Sequence, residues 1–377
     1  MIKEHVRLMY KLIRICLEWK MMNYQQYLTQ LSDTTSEVIN QIPTTLKPIP
    51  GTNEKGRLDP RVVEQRLKPK KDPEVIDSTM FEDVAIGRIR QGMGFNNLDI
   101  TVDEIRIEEQ VMNGVKVRLY RPNQIKDLRP AFIFIHGGGF YGGDLEVVEN
   151  PCKAIAEKAN VMVISVDYTL APEGPYPQGL NDCDSVVDYV YENARALGID
   201  STKISISGDS AGGNLAAGCV LRDIQKGRYA IQYMALLYPV VLLSDEEVAN
   251  YEWSLDQYDV KENDELVTRA IHSIKNCMPL ITRLYVQDST PLEHPELSPL
   301  LVEDLSQFPK TLIITAEYDF LRIQGEAYAK RLSEAGVDVR LIRYEGMDHA
   351  FLDKCGVYPQ AEDCLNEIAK DLKLVNH

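Results

Sequence analysis

From about residue 100 onward, short apolar runs alternate with longer stretches whose apolar positions recur at helical spacing. Thr101–Gln110 and Val115–Tyr120 alternate apolar and polar residues. They are split by Asn113-Gly114, a dipeptide that strongly favours a two-residue hairpin turn. Ala131–Ile135, Val161–Val166, Lys203–Ser207, Ile231–Leu237, Thr311–Thr315 and Val339–Tyr344 read as further strands. Helical patterns at Asn150–Ala159, Asp182–Leu197, Asn214–Asp223 and Gln360–Leu374 lie between or after them. Strands alternating with helices predict a mostly parallel sheet with helices on both faces.

That rhythm is absent in two places. In the first hundred residues, Ile2–Tyr27 carries Val6, Met9, Tyr10, Ile13 and Leu17 at helical spacing. This predicts an amphipathic helix, packed on the remainder or forming one face of a pocket. Residues 41–73 hold Pro43, Pro48, Pro50, Gly51, Gly56 and Pro60 and read as loops and turns. Gly92 and Gly94 interrupt a stretch without a clear period. Residues 243–305 are acidic at Ser244–Asn250 and Asp256–Glu265 and more apolar at His272–Leu284. They read as a helical insertion between core strands, placed to cap whatever the core presents.

The strand Lys203–Ser207 runs into Gly208-Asp209-Ser210-Ala211-Gly212 and then into a helix. G-x-S-x-G in that setting describes a nucleophile elbow, a sharp turn that lifts the Ser210 hydroxyl clear of the sheet. Its glycines remove side chains that would collide with the turn. Ala131–Ile135 runs into His136-Gly137-Gly138-Gly139, where backbone N–H groups can turn inward. Gly138 and Gly139, with the N–H of Ala211, are the expected oxyanion hole.

An activated serine needs a base, and the base needs an orienting acid. There are only six histidines. His5 and His377 lie at the termini, His272 and His294 in the expected cap, and His136 in the glycine loop. That leaves His349, in the loop G-M-D-H-A-F after Val339–Tyr344. The acid should follow Thr311–Thr315, where the chain reads A-E-Y-D-F-L. Asp319 is the choice and Glu317 the alternative. Asp348 adjoins His349 too closely to orient its ring, and Asp209 reads as structural. The order Ser210, Asp319, His349 is the one an alpha/beta-hydrolase sheet produces.

Composition narrows the class. The chain has 377 residues, 44% of them apolar, enough for one large core and a cap. A net charge of -16 disfavours nucleic acid and anionic membrane partners. No run reaches the length of a membrane span, and the first twenty residues lack a secretory signal. The seven cysteines show neither a disulfide framework nor zinc spacing, so free thiols in a cytoplasmic protein are expected.

H-G-G-G-F at 136–140, D-Y-x-L-A-P-E at 167–173, G-D-S-A-G-G-N-L-A at 208–216, A-E-Y-D-F-L at 316–321 and G-M-D-H-A-F at 346–351 together resemble the hormone-sensitive-lipase-like family of bacterial carboxylesterases. The resemblance covers about residues 100–370. Ser210, Asp319 and His349 fall on that family's triad, and Gly138, Gly139 and Ala211 on its oxyanion hole. It implies an alpha/beta-hydrolase with an eight-stranded, mostly parallel sheet, helices on both faces and a helical cap. The expected division is an N-terminal extension contributing to the cap (1–100), a first part of the catalytic core (101–242), a helical cap insertion (243–305) and a second part of the core (306–377).

The expected activity is hydrolysis of short- to medium-chain acyl esters through an acyl-serine, with no metal and no cofactor. The partner is a small-molecule ester, and the resemblance allows a homodimer. An amidase or peptidase would use the same triad, and a non-catalytic binding protein could use the same scaffold. Aromatic residues at Phe140, Tyr141, Tyr251, Trp253, Tyr258 and Tyr285 could narrow the pocket, form the cap's core or build a dimer surface.

Overall fold

The computed structural model describes residues 23–68, 82–123, 128–244, 252–260, 265–287 and 289–376. Of the helix expected over Ile2–Tyr27, only the end is among them, and residues 23–30 form α1. His5, Cys16, Tyr251, His377 and most of Ser244–Asn250 lie outside the described residues.

The strands are β1 (Thr35–Ile39), β2 (Ile42–Lys47), β3 (Ile105–Met112), β4 (Val115–Pro122), β5 (Arg129–Ile135), β6 (Met162–Asp167), β7 (Ile199–Asp209), β8 (Ile231–Leu237), β9 (Lys310–Ala316) and β10 (Val339–Tyr344). They form one sheet in the order β1-β2-β10-β9-β8-β7-β5-β6-β4-β3. The strands from β2 to β6 in that order are parallel, while β1 and the β3–β4 hairpin add antiparallel edges. Residues Ala131 to Ile135 of β5 are all 0% exposed, which is why this strand reads as an unbroken apolar run. Asn113 and Gly114 both have positive φ, as the hairpin turn between β3 and β4 requires.

The remaining helices are α2 (Pro60–Leu67), α3 (Glu82–Gln91), α4 (Glu149–Ala159), α5 (Gln178–Glu192), α6 (Ala194–Leu197), α7 (Ala211–Gln225), α8 (Glu265–Lys275), α9 (Met278–Tyr285), α10 (Arg322–Glu334) and α11 (Pro359–Val375). From β5 to β6 the chain moves one way along the sheet, and through β7 and β8 it moves the other. Right-handed crossovers therefore put α4 on one face and α5 and α7 on the other. In keeping with this, α4 packs with α11 and α5 with α7. Because these strands are parallel, the loops after β5, β7, β8, β9 and β10 gather at one edge, at the carboxyl ends where such sheets place their ligands.

The expected eight strands are corrected to ten. The two additional strands are β1 and β2, the second of them in the stretch 41–73, whose prolines suggest only loops. Proline is tolerated here because Pro43 pairs with Val38 of β1 but lies outside Thr44–Lys47, the part of β2 that pairs with β10. What secures β2 is also nonlocal. Lys47 is 2% exposed, and its Nζ meets Asp363 at 2.8 Å, Glu367 at 2.6 Å and the Leu31 carbonyl at 3.1 Å.

Removing one partner of a buried ion pair leaves the other charge uncompensated. Lys47→Ala is therefore expected to destabilise the protein by about 3–5 kcal/mol, measured as a lowered urea midpoint. A change within error would show that the network contributes nothing to the docking of β2.

Candidate active site

β7 passes into α7 through Ser210 alone, at φ 55° and ψ −118°. A non-glycine residue holds such a conformation only when its surroundings enforce it. Here the Ser210 N–H donates to the Leu237 carbonyl at 2.9 Å, and its carbonyl accepts from Val240 at 3.1 Å and Gly213 at 3.0 Å. The next turn approaches β5 so closely that a Cβ on Gly212 would overlap the Ile135 carbonyl oxygen.

The loop after β5 is fixed from several sides. Gly138 and Gly139 have φ of 123° and 63°, and the Gly138 carbonyl accepts from Gly142 at 2.9 Å. Tyr168 donates to the His136 carbonyl at 3.0 Å and its ring stacks on the imidazole. Burial pulls the His136 pKa down, so this histidine is neutral. The Gly137 N–H donates to Asp209 at 2.8 Å and ties this loop to the elbow. Arg90 of α3 donates to the carbonyls of Tyr141 and Ala171 at 2.5 and 2.8 Å, and both oxygens of Glu173 hold its guanidinium. Among the described residues the amides of Gly138, Gly139 and Ala211 have no hydrogen-bond acceptor.

His349 follows β10. Its Nε2 lies 2.9 Å from Ser210 Oγ and its Nδ1 2.7 Å from Asp319 Oδ2. Asp319 is wholly buried, and its other oxygen accepts from the Leu321 N–H at 3.0 Å. An Nδ1–H donated to Asp319 would leave Nε2 as the acceptor facing the Ser210 hydroxyl. Burial alone would lower the His349 pKa, but the charge and hydrogen bond of Asp319, helped by Asp209 and Asp353, raise it overall. Burial and mutual repulsion in turn push Asp209 up, and burial pushes Asp353 up.

Ser210, His349, Gly138 and Gly139 open on a cavity of about 260 Å³. Met93, Gly94, Val147 and Val148 form part of its wall, and Ile274, Cys277, Met278 and Ile281 of the α8–α9 region form another. Ser210, Asp319 and His349 thus meet in one hydrogen-bonded line, with Gly138, Gly139 and Ala211 beside it. Glu317 instead accepts from the Gly346 N–H at 2.6 Å, and burial raises its pKa to about 7. Asp348 is held by Arg66 of α2. His272 and His294 are not among the cavity's lining residues.

Several contributors carry no motif, and Tyr258, named among the aromatic residues, takes a part beside Asp319 that its position alone does not announce. Met93 and Gly94 come from the aperiodic stretch after α3. Tyr238 sets its ring edge-on to His349 at 4.9 Å, and Tyr258 donates to the Asp319 carbonyl at 2.9 Å. None has a motif; the tyrosines' positions after β8 and in the insertion are the only signal. Of the aromatic residues named above, Phe140 and Tyr285 are buried and stacked, Tyr141 lines the cavity, and Trp253 bonds Tyr258.

Residues 132–353 match the family described as alpha/beta hydrolase fold. The chain belongs to the alpha/beta hydrolase fold family. It is 32% identical over 305 residues to carboxylesterase NlhH of Mycobacterium tuberculosis, covering 78% of this chain and 90% of that one. It is 34% identical over 260 residues to an arylesterase of Saccharolobus solfataricus, covering 68% and 79%. Among solved structures, a hyperthermophilic esterase from the archaeon Pyrobaculum calidifontis superposes with a TM-score of 0.65 at 29% identity, covering 84% of this chain and 98% of that one. This alpha/beta hydrolase is related to esterases of its fold.

The clearance at Gly212 yields a test. The atom that a new Cβ would strike belongs to the backbone of a central strand and cannot swing aside. Gly212→Ala is expected to cost at least about 1–3 kcal/mol of stability, read from urea unfolding. A wild-type midpoint would show that β5 and α7 do not approach this closely.

Proposed function

We propose that this alpha/beta hydrolase is a serine carboxylesterase of the hormone-sensitive-lipase-like kind, hydrolysing short- to medium-chain acyl esters. The observation that carries the reading is the hydrogen-bonded line from Asp319 through His349 to Ser210, ending at a cavity beside three amides without an acceptor.

In this reading His349 takes the Ser210 proton as the hydroxyl oxygen attacks the ester carbonyl. Negative charge moves onto the carbonyl oxygen, and the N–H groups of Gly138, Gly139 and Ala211 receive it. Ala211 is the first residue of α7, so the helix dipole adds to that stabilisation. His349 then protonates the leaving alcohol, and the C–O bond to it breaks. Water, deprotonated by the same histidine, attacks the acyl-serine and releases the acid and the free hydroxyl. Asp319 keeps Nδ1 protonated throughout and stabilises the imidazolium.

The division into an N-terminal extension (1–100), core (101–242 and 306–377) and cap insertion (243–305) belongs to the same proposal. Cavity walls contributed by the Met93–Gly94 turn and by α8–α9 support it. A cytoplasmic location fits the six free cysteines among the described residues. No described helix is long and apolar enough to cross a membrane. The open edges of β1 and β3 offer surfaces for a homodimer.

Initial rates on p-nitrophenyl acetate, butyrate, octanoate and palmitate test the reading. Ser210→Ala is expected to lower kcat about 10⁶-fold, and turnover that survives this change would sink the serine mechanism. His349 must be neutral to act, and its pKa is raised above the ordinary 6.5. The acid limb of kcat/KM is therefore expected above pH 6.5, with activity lost as pH falls through it. Asp319→Asn removes that upward influence. It should shift the limb to lower pH and reduce kcat about 10⁴-fold; an unmoved limb would argue against Asp319 as the orienting acid.

A further inference from the structure

Beside the catalytic cavity lies a second, more open cavity of about 490 Å³, and Met278 lines both. We infer that Met278 is a movable partition, and that an alkyl chain of the ester too long for the catalytic cavity passes it into the second one. The inference rests on the esterase reading and names the substrate feature this site can accept.

The catalytic cavity, about 260 Å³, is about half the size of the second, about 490 Å³, so a long alkyl chain gains room by passing beyond Met278.

The second cavity suits an alkyl chain. Leu242, Leu243, Pro279 and Phe320 supply apolar surface. Its floor is rigid. Gln324 is 2% exposed and accepts from the N–H groups of Val241 and Leu242 at 2.7 and 3.0 Å, while Ser298 accepts from Leu243 at 2.9 Å. Lys275, also a lining residue, directs its ammonium onto the Trp253 ring, 3.6 Å from the centroid.

The partition is the adaptable part of this wall. Helix α9 is fastened at its far end, where Tyr285 stacks on Phe140 with ring centroids 3.8 Å apart and its carbonyl accepts from the Tyr176 N–H at 2.7 Å. Met278 is the first residue of α9 and half-buried, and Cys277 before it gives no side-chain cap. An unbranched thioether at such a place re-packs readily. The cavity's other methionine is wedged. Met93 presses on Gly142, where a Cβ would overlap its sulfur. An opening is therefore expected at Met278 and not at Met93.

The test compares kcat/KM for p-nitrophenyl octanoate against acetate, and for octyl against ethyl acetate, in the wild-type protein, M278A, M278W and M93A. The first series places the long chain on the acyl side, the second on the alcohol side. M278A should raise the long-to-short ratio in one of the two series by about tenfold, and M278W should lower the same ratio. Should M278A fail to fold, the decrease in M278W decides. Ratios unchanged in both Met278 variants, or an increase in M93A alone, would overturn the partition. Absence of any ester turnover by the wild-type protein would overturn the esterase reading and this inference with it. Acetate turnover with unchanged ratios overturns the partition alone.

Discussion

Ser210 reaches the cavity because β7 becomes α7 across a single residue held at a positive φ. That turn is sustained by the sheet and not by its own preferences. Leu237 at the end of β8 and Val240 in the loop after it grip the serine backbone from one side, while β5 closes against Gly212 from the other. The strained conformation costs of order 1–3 kcal/mol, offset by a central strand whose residues are fully buried. The glycine loop after β5 is tied to the same turn through Gly137 and Asp209. A hydroxyl and a set of free amides are thus held in one frame, without waiting for a substrate to order them.

Electrostatics at the site follow from burial. Burial of His349 by itself disfavours the charged ring. Asp319 at hydrogen-bond distance reverses that balance. Asp209 and Asp353 add to the negative surroundings; burial and the charge of Asp353 raise the pKa of Asp209, and burial raises that of Asp353. The result is a basic histidine with a defined tautomer, which suits proton transfer from a hydroxyl group.

The sheet's extension by β1 and β2 gives the chain's beginning a structural part in the core. β10 carries His349 at its end, and β2 lies beside β10. Lys47 then joins β2 to α11. In this way the strand that leads to His349 is flanked on both sides, while Arg90 and Met93 bring the region around α3 onto the glycine loop and the cavity.

The parts legible in the sequence share one property: each is set by a short stretch of chain. Asn113-Gly114 specifies its hairpin through positive φ, Ala131–Ile135 specifies a central strand by being apolar throughout, and Gly208 to Gly212 specifies an elbow by what the turn leaves out. His349 and Asp319 followed from strand ends and a short list of histidines. The strand count did not follow, because β2 owes its place to β10 and to a lysine partnered some 320 residues away. Nor did the assistance of Tyr238 and Tyr258, or the walls formed by Met93 and Met278, since no local pattern encodes contact between distant segments. The sequence by itself determined the succession of strands and helices from β3 onward and which side chains stand at their ends. Only tertiary packing decided how far the sheet extends, which backbone atoms press on the elbow and how much room surrounds the serine, because those depend on which remote surfaces are buried together.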